Sequence, residues 1–163
     1  MLPDPDNAKR TTRQLTSDDL ERVLAIDCAH VGRSRRHFFA KRMAAAKLSP
    51  DDFIHIGVIC DGSLCGYAIA RVHRGEFGGE HVVAQLDAVG VDPGIQERGV
   101  GQLLMQELNR AARATGVRTL NSQVSWKHQD LLRFFNASGF ELAPRLTLER
   151  SVSLPLDESS EET

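Results

Sequence analysis

The spacing of apolar positions changes several times along the chain, and each change marks an element. Thr11–Leu15 reads as a short first strand. In "SDDLERVLAIDCAH", Leu20, Val23, Leu24 and Ile26 keep roughly helical spacing behind Ser17, a candidate N-cap followed by acidic residues that suit a helix's positive end. Gly32 ends that helix. Ser34 is placed to cap a second one, "RRHFFAKRMAAAKL", which Ser49-Pro50 stops. The period then shortens to that of strands. "FIHIGVIC" (53–60) and "LCGYAIARVH" (64–73) flank Asp61-Gly62-Ser63, a hairpin signature, and "HVVAQLDAVGV" (81–91) follows as a third long strand, which together predict an antiparallel meander.

Beyond "DPGIQERGVG" the helical period returns. Val100, Leu103, Leu104, Leu108, Ala111 and Ala112 share one face of a helix ending near Gly116. "RTLNSQV" reads as a strand and "HQDLLRFFNASG" as a short helix closed by Gly139. "FELA" and "LTLERSVSL" read as terminal strands around Pro144. The order describes one α/β domain with a mixed central sheet of about six to seven strands flanked by about four helices. Residues 1–10 are expected to be a flexible N-terminus and 156–163 a disordered acidic tail, leaving the domain at 11–155.

Composition narrows this little. The chain has 163 residues, 41% apolar and 26% charged, which fits one soluble domain. A net charge of -2 gives no bulk attraction for nucleic acid or anionic membrane, and no apolar run approaches the ~20 residues that span a bilayer. The acidic, proline-bearing start is unlike a signal peptide, so a cytoplasmic protein is expected. Cys28, Cys60 and Cys65 cannot all pair, and Cys60 with Cys65 lacks the Cys-x-x-Cys spacing, so all three read as reduced thiols. His55, His73 and His81 lie on separate strands without metal-ligand spacing, and no metal is expected.

The stretch "VDPGIQERGVGQLL" asks for chemistry. It places Arg98, Gly99 and Gly101 where a helix must begin, although glycine disfavours a helix by roughly 1 kcal/mol relative to alanine. The first amides of a helix lack intrahelical acceptors and sit at its positive pole, so the turn suits an anion such as a diphosphate; glycine serving turn geometry alone is the plainer alternative. No Lys follows as in the P-loop. Leu104 stands where the dinucleotide fingerprint needs its third glycine.

The wider window "VGVDPGIQERGVGQLL" resembles the acyl-CoA-binding signature of the GNAT superfamily of N-acetyltransferases, with Val89, Val91, Pro93, Gln96, Gly99 and Gly101 in place. "LLRFFNASGF" resembles that superfamily's later helix-ending segment, and the likeness runs from about Gln85 to Phe140. It implies acetyl-CoA as co-substrate. The CoA contacts would come from Val89, Gly90, Val91, Gln96, Glu97, Arg98, Gly99, Val100, Gly101, Gln102, His128, Leu131, Phe134 and Phe135. The amides of residues 98–102 would hold the pyrophosphate. The strand end 89–91 would pair with the pantetheine where the sheet splays, and an N–H near Val91 would steady the oxyanion.

For the chemistry, Asp87 is the candidate general base, on the reading that it shares Val89's side of the strand; an ion-pair role suits it equally. Gly90 reads as a bulge or close-approach glycine, or as simple packing. The usual acid, a Tyr, aligns with Phe135, which has no proton to give and would wall the pantetheine. His128 is the substitute candidate, though an exposed helix-start histidine is the plainer reading, and Trp126 nearby reads as packing. Arg33, Arg35 and Arg36, in the segment joining the first two helices, would attract an acidic acceptor or form a solvated face. The leading reading is acetyl transfer to a primary amine of a small molecule or protein. The alternatives are a catalytically weak CoA sensor and, more remotely, a nucleotide-binding module. A homodimer is compatible with the resemblance but is encoded in no motif.

Overall fold

The computed structural model describes residues 9–75, 79–95 and 99–152. The acidic tail and residues 1–8 of the N-terminus expected to be flexible fall outside them; Arg10, expected in that terminus, begins the first strand.

The described elements are β1 (Arg10–Gln14), α1 (Leu20–Val31), α2 (Arg36–Leu48), β2 (Phe53–Cys60), β3 (Ser63–Arg74), β4 (Val82–Val91), α3 (Val100–Ala114), β5 (Thr119–Ser122) and α4 (Gln129–Ala137). The strands form one sheet in sequence order. β1 to β4 are antiparallel neighbours, and β5 runs parallel to β4. The α/β class and the four helices follow the sequence reading.

Local chemistry explains the boundaries. Thr16 and Asp19 form a capping box ahead of α1, so the cap lies one residue before Ser17. Gly32 closes α1 with φ 76°, where a side chain is disfavoured. The β2–β3 hairpin turns on Asp61 (φ 48°) and Gly62 (φ 84°), the left-handed pair that a two-residue turn requires.

Alternation on β3 divides the core. Ala68, Ala70 and Val72 join Leu104, Met105, Leu108 and Ala112 of α3 on one face. Tyr67 and Ile69 join Val23, Ile26, Phe39 and Met43 of α1 and α2 on the other. β4 breaks this alternation. Ala70 pairs with Leu86 and Ile69 with Ala88, which leaves Asp87 unopposed in a β-bulge. Before the bulge Ala84 and Leu86 face α3; after it Ala88 faces α1 and α2, while Val89 and Val91 pack toward α3. The expectation that Asp87 shares Val89's side is therefore corrected: one extra residue turns Asp87 to the opposite face.

Two more expectations change. The terminal strands do not form: residues 140–151 carry no strand, and Leu142, Leu146, Leu148 and Val152 are each at least 89% exposed. Pro144 has no N–H for a ladder, and the Arg145 N–H turns back to the Ala143 carbonyl at 2.8 Å. Five described strands thus replace the six or seven expected. Cys60 and Cys65 are joined in a disulfide, Cα to Cα 5.8 Å, instead of being free. Spacing rules for zinc or redox motifs overlook this geometry. A tight hairpin brings the residues together, and an irregularity beyond Ile59 leaves Cys65 unopposed in the register. Cys28 is free and exposed. No helix among the described residues is long and apolar enough to cross a membrane.

Candidate functional site

β4 and β5 pair from Val83–Thr119 to Leu86–Ser122 and no further. The Ser122 hydroxyl closes this seam by donating to the Leu86 carbonyl at 3.1 Å. From Asp87 to Val91, β4 keeps only β3 as a partner among the described strands, so the sheet opens between its parallel strands at their carboxyl ends, where ligands of such sheets commonly bind.

The chain leaving this opening is pinned. The Asp92 N–H donates to the Cys65 carbonyl at 2.8 Å, and the Asp92 carboxylate caps Gly94 N–H at 2.9 Å and pairs with Arg22. Arg22 also donates from Nε to the Leu64 carbonyl at 2.9 Å. A single turn over Pro93–Ile95 follows. Gln96, Glu97 and Arg98, expected among the CoA contacts, lie outside the described residues.

α3 then starts with no side-chain cap. Gly99, its N-cap, has φ 77°, and its carbonyl accepts the first helical bond, from Leu103 N–H at 3.0 Å. The amides of Val100, Gly101 and Gln102 precede that first donor and have no intrahelical acceptor, at the positive pole of a helix. The left-handed conformation accounts for the glycine at 99. Gly101 has a different cause: a Cβ there would lie 2.8 Å from Cε2 of Phe134, so its smallness lets α4 close on α3. A Cβ at Gly90 would lie 2.7 Å from Cε1 of Tyr67, so that glycine makes room for a buried ring and the bulge lies at Asp87 instead.

The remaining expected CoA contacts divide by burial. Phe135 belongs to the core beside α3, its ring 4.7 Å from that of Phe140, so it is a structural residue more than a wall of the opening. Leu131 and Phe134 are half-buried against the same core. His128 is exposed at the N-cap of α4, and Trp126 is exposed as well.

Asp87 is the most constrained polar residue at the opening. Its carboxylate accepts from Arg42 Nε at 2.8 Å, Arg71 Nε at 2.6 Å and Arg71 Nη2 at 3.0 Å, with its side chain only 7% exposed. Burial alone would favour the protonated acid. The hydrogen bonds from Arg71 and Arg42 outweigh it and hold the carboxyl below its ordinary range. The Arg42 guanidinium lies over Phe38, 3.6 Å from the ring centroid. His55 lies in the field of both Asp87 and Arg42. It is buried, its Nε2 has no partner among the described residues, and burial pushes its pKa down to about 4.

The arginines expected to meet an acceptor are differently occupied. Arg35 is committed to Asp27, which also accepts from the buried Tyr67 hydroxyl at 3.0 Å. Burial first, then Asp27, raises the pKa of that hydroxyl, so it stays protonated. Arg36 forms an exposed pair with Glu21, and Arg33 is exposed. Sequence reasoning missed Arg42, Arg71 and His30. His30 Nε2 lies 2.6 Å from the Val91 carbonyl. Only Arg71 left a trace in the sequence, as the one charge inside the apolar run "YAIARV". No group of three or more His, Cys, Asp or Glu among the described residues is arranged to hold a metal.

Comparison with known proteins places this arrangement. No curated protein matches the chain in sequence. Among solved structures, the aminoglycoside N-acetyltransferase AAC(6')-Iy in complex with CoA is similar with a TM-score of 0.73 at 20% identity, covering 93% of this chain and 99% of that one. AAC(6')-Ih from Acinetobacter baumannii gives 0.72 at 15% identity over 88% and 98% of the two chains. A transcriptional regulator from Bacillus halodurans gives 0.74 at 18% identity over 88% and 99%. At these identities the likeness speaks for the fold. Residues 17–140 match the model of the acetyltransferase (GNAT) family, most of the chain and all of the opening described above, and the chain belongs to that acyltransferase family.

Proposed function

We propose that this protein moves the acetyl group of acetyl-CoA to a primary amine by direct transfer. The observation that carries the reading is the uncapped first turn of α3, Val100 to Gln102, set beside the gap that opens between β4 and β5 after Leu86 and Ser122. A diphosphate fits amides that no side chain among the described residues satisfies. The edge of residues 87–91 that no described strand pairs on the β5 side fits the amide-bearing pantetheine as an added strand. Structurally similar proteins in complex with CoA support the same ligand.

The reaction breaks the thioester C–S bond and forms a C–N bond. The ammonium must first lose one proton to solvent; the attacking nitrogen sheds a second as the amide forms, and the departing thiolate takes one up. Asp87, doubly held by guanidinium groups, serves in this reading to position Arg42 and Arg71 instead of collecting the proton. Phe135, buried in the core, donates nothing, and the thiolate is a stable enough leaving group to be protonated from solvent.

Self-association fits the open edge of β5. A groove of about 460 Å³ runs between Thr119–Asn121 and Ser138–Arg145, and the apolar side chains beyond it are exposed.

The test is calorimetric titration with CoA, paired with thiol release from acetyl-CoA over an amine panel. Binding that Gly99→Val removes, with turnover on at least one amine, is the expected result. CoA binding without turnover on any amine would favour a sensor instead, and absence of CoA binding would end the reading.

A further inference from the structure

The described carboxylates and arginines on the α1/α2 face of the sheet are not evenly matched at the opening. Glu21 is held by Arg36, Asp27 by Arg35, Asp52 by Arg74 and Asp19 by Arg13. At Asp87 the count differs: one carboxylate is shared by Arg42 and Arg71, which leaves a net positive charge beside the first residue past the last β4–β5 pair. The neighbouring His55 is neutral near pH 7 and does not alter that balance.

Both arginines keep donors in reserve. Arg71 commits Nε and Nη2 to Asp87, and among the described residues nothing accepts from its Nη1. Arg42 commits only Nε, and neither of its terminal nitrogens has an acceptor among the described residues. Their side chains are 40% and 20% exposed, so the spare N–H groups are within reach of a ligand. They are also held in place, Arg42 by the face of Phe38 and both by Asp87. A fixed guanidinium offers paired donors that match a carboxylate, with little ordering left to accomplish on binding.

The two sides of the sheet then divide the labour. The open amides of α3 belong to the α3 side, where Val89 and Val91 also pack; the arginine pair belongs to the α1/α2 side. A thioester entering the gap from the α3 side meets an amine arriving from the other. We infer that the acceptor amine also bears a carboxylate, and that Arg42 and Arg71 receive it. This rests on the acetyl-transfer reading above and narrows its acceptor class. It separates this chain from enzymes that accept polycations: an aminoglycoside carries several ammonium groups, and the pair at Asp87 repels them.

The experiment uses the full chain saturated with acetyl-CoA. Turnover is followed by thiol release with the standard L-amino acids, a set of dipeptides, the C-terminal amide of each, and kanamycin. Equilibrium binding of the same acids and amides to the CoA-loaded protein is measured by calorimetry. Acids are expected to exceed their amides at least tenfold in kcat/KM or in affinity, with kanamycin inert. Arg71→Gln is expected to raise KM for the preferred acid at least tenfold while leaving that for its amide and for acetyl-CoA within twofold, and Arg71→Lys is expected to recover part of the loss. Acetyl-CoA affinity serves as the check that each variant is folded.

Equal preference for acid and amide, turnover of kanamycin in preference to the acids, or an unchanged KM in Arg71→Gln would overturn the inference while leaving acetyl transfer intact. So would the failure of every acid to bind a protein that binds CoA. A chain that does not bind CoA at all overturns the acetyl-transfer reading, and this inference with it.

Discussion

Asp87→Asn separates a positioning carboxylate from a proton acceptor. In the wild type the carboxylate carries three hydrogen bonds from Arg42 and Arg71 and is nearly buried. Removing one member of a buried ion pair costs roughly 3–5 kcal/mol, because the partner charge is left uncompensated. Here the partners reach solvent, with Arg71 40% exposed, so the cost falls to about 1–2 kcal/mol, between the buried and surface limits. Asparagine keeps one acceptor oxygen but turns an N–H₂ toward a guanidinium, so it does not restore the pair. The pH dependence has a definite sign. The folded carboxyl is held below its ordinary range, so its contribution to stability is complete above the unfolded value of about 3.9 and is lost as pH falls through the folded value. Asp87 therefore does not titrate between pH 5 and 9. The assay is urea denaturation of both proteins at pH 7 and pH 3, together with kcat/KM from pH 5 to 9. The expected result is a destabilisation of about 1–2 kcal/mol at pH 7 that shrinks at pH 3, and a reduced kcat/KM whose pH profile keeps the wild-type shape. A variant of unchanged stability whose acidic limb disappears would refute the argument and return Asp87 to the role of base.

Three further outcomes follow from packing and titration. His55 is buried with its pKa pushed down to about 4, against about 6.5 in the unfolded chain. Stability is then level above pH 6.5 and falls by about 3 kcal/mol between pH 6.5 and 4, and His55→Gln should flatten that limb in a pH series of denaturation midpoints. Gly101→Ala drives a Cβ to 2.8 Å from Phe134, which should cost roughly 1–3 kcal/mol; Phe134→Leu in the same chain should recover much of it, and strict additivity of the two changes would remove the α3–α4 explanation. Leu146, Leu148 and Val152 are exposed, so replacing all three by serine should keep the thermal midpoint within about 2 °C while any self-association measured by light scattering is lost.

Most elements were legible because period and punctuation agreed. The α3 stripe, Gly32, Gly62 and the Ser49-Pro50 stop each have a local cause, and each stands within a residue or two of where that cause puts it. The signature from Val89 to Gly101 was legible as a family resemblance, and turn geometry at Gly99 was among its readings, yet the side chains that Gly90 and Gly101 make room for were not. Gly90 and Gly101 are small because Tyr67 and Phe134 approach them, and a residue 23 or 33 positions away leaves no local sign. The Cys60–Cys65 bond was hidden by a rule about spacing that ignores what a two-residue turn brings together. The terminal strands failed in the other direction. "LTLERSVSL" alternates correctly, but alternation states only that a segment suits a pleated surface; it does not supply a sheet edge in the same chain.

The bulge at Asp87 explains why the site was harder to read than the fold. Side chains alternate strictly along a strand, so a sequence argument that places Val89 places Asp87 with it. A single unopposed residue cancels that inference for everything downstream. Here it sends Val89 and Val91 toward α3 and Ala88 toward the opposite face, and pairing with β5 stops at the residue before it. Two neighbouring parts of one motif thereby come to serve different sides of the sheet. The residues before the α3 turn lie with the open amides, and Asp87 lies with two arginines that no motif contains. Arg42 comes from a helix 45 positions earlier and Arg71 from a strand 16 positions earlier, so their convergence belongs to register and helix packing. The glycine-rich turn thus announces what the chain binds through local backbone chemistry. On the inference drawn above, the acceptor is selected by a charge balance that exists only once the strand has been kinked.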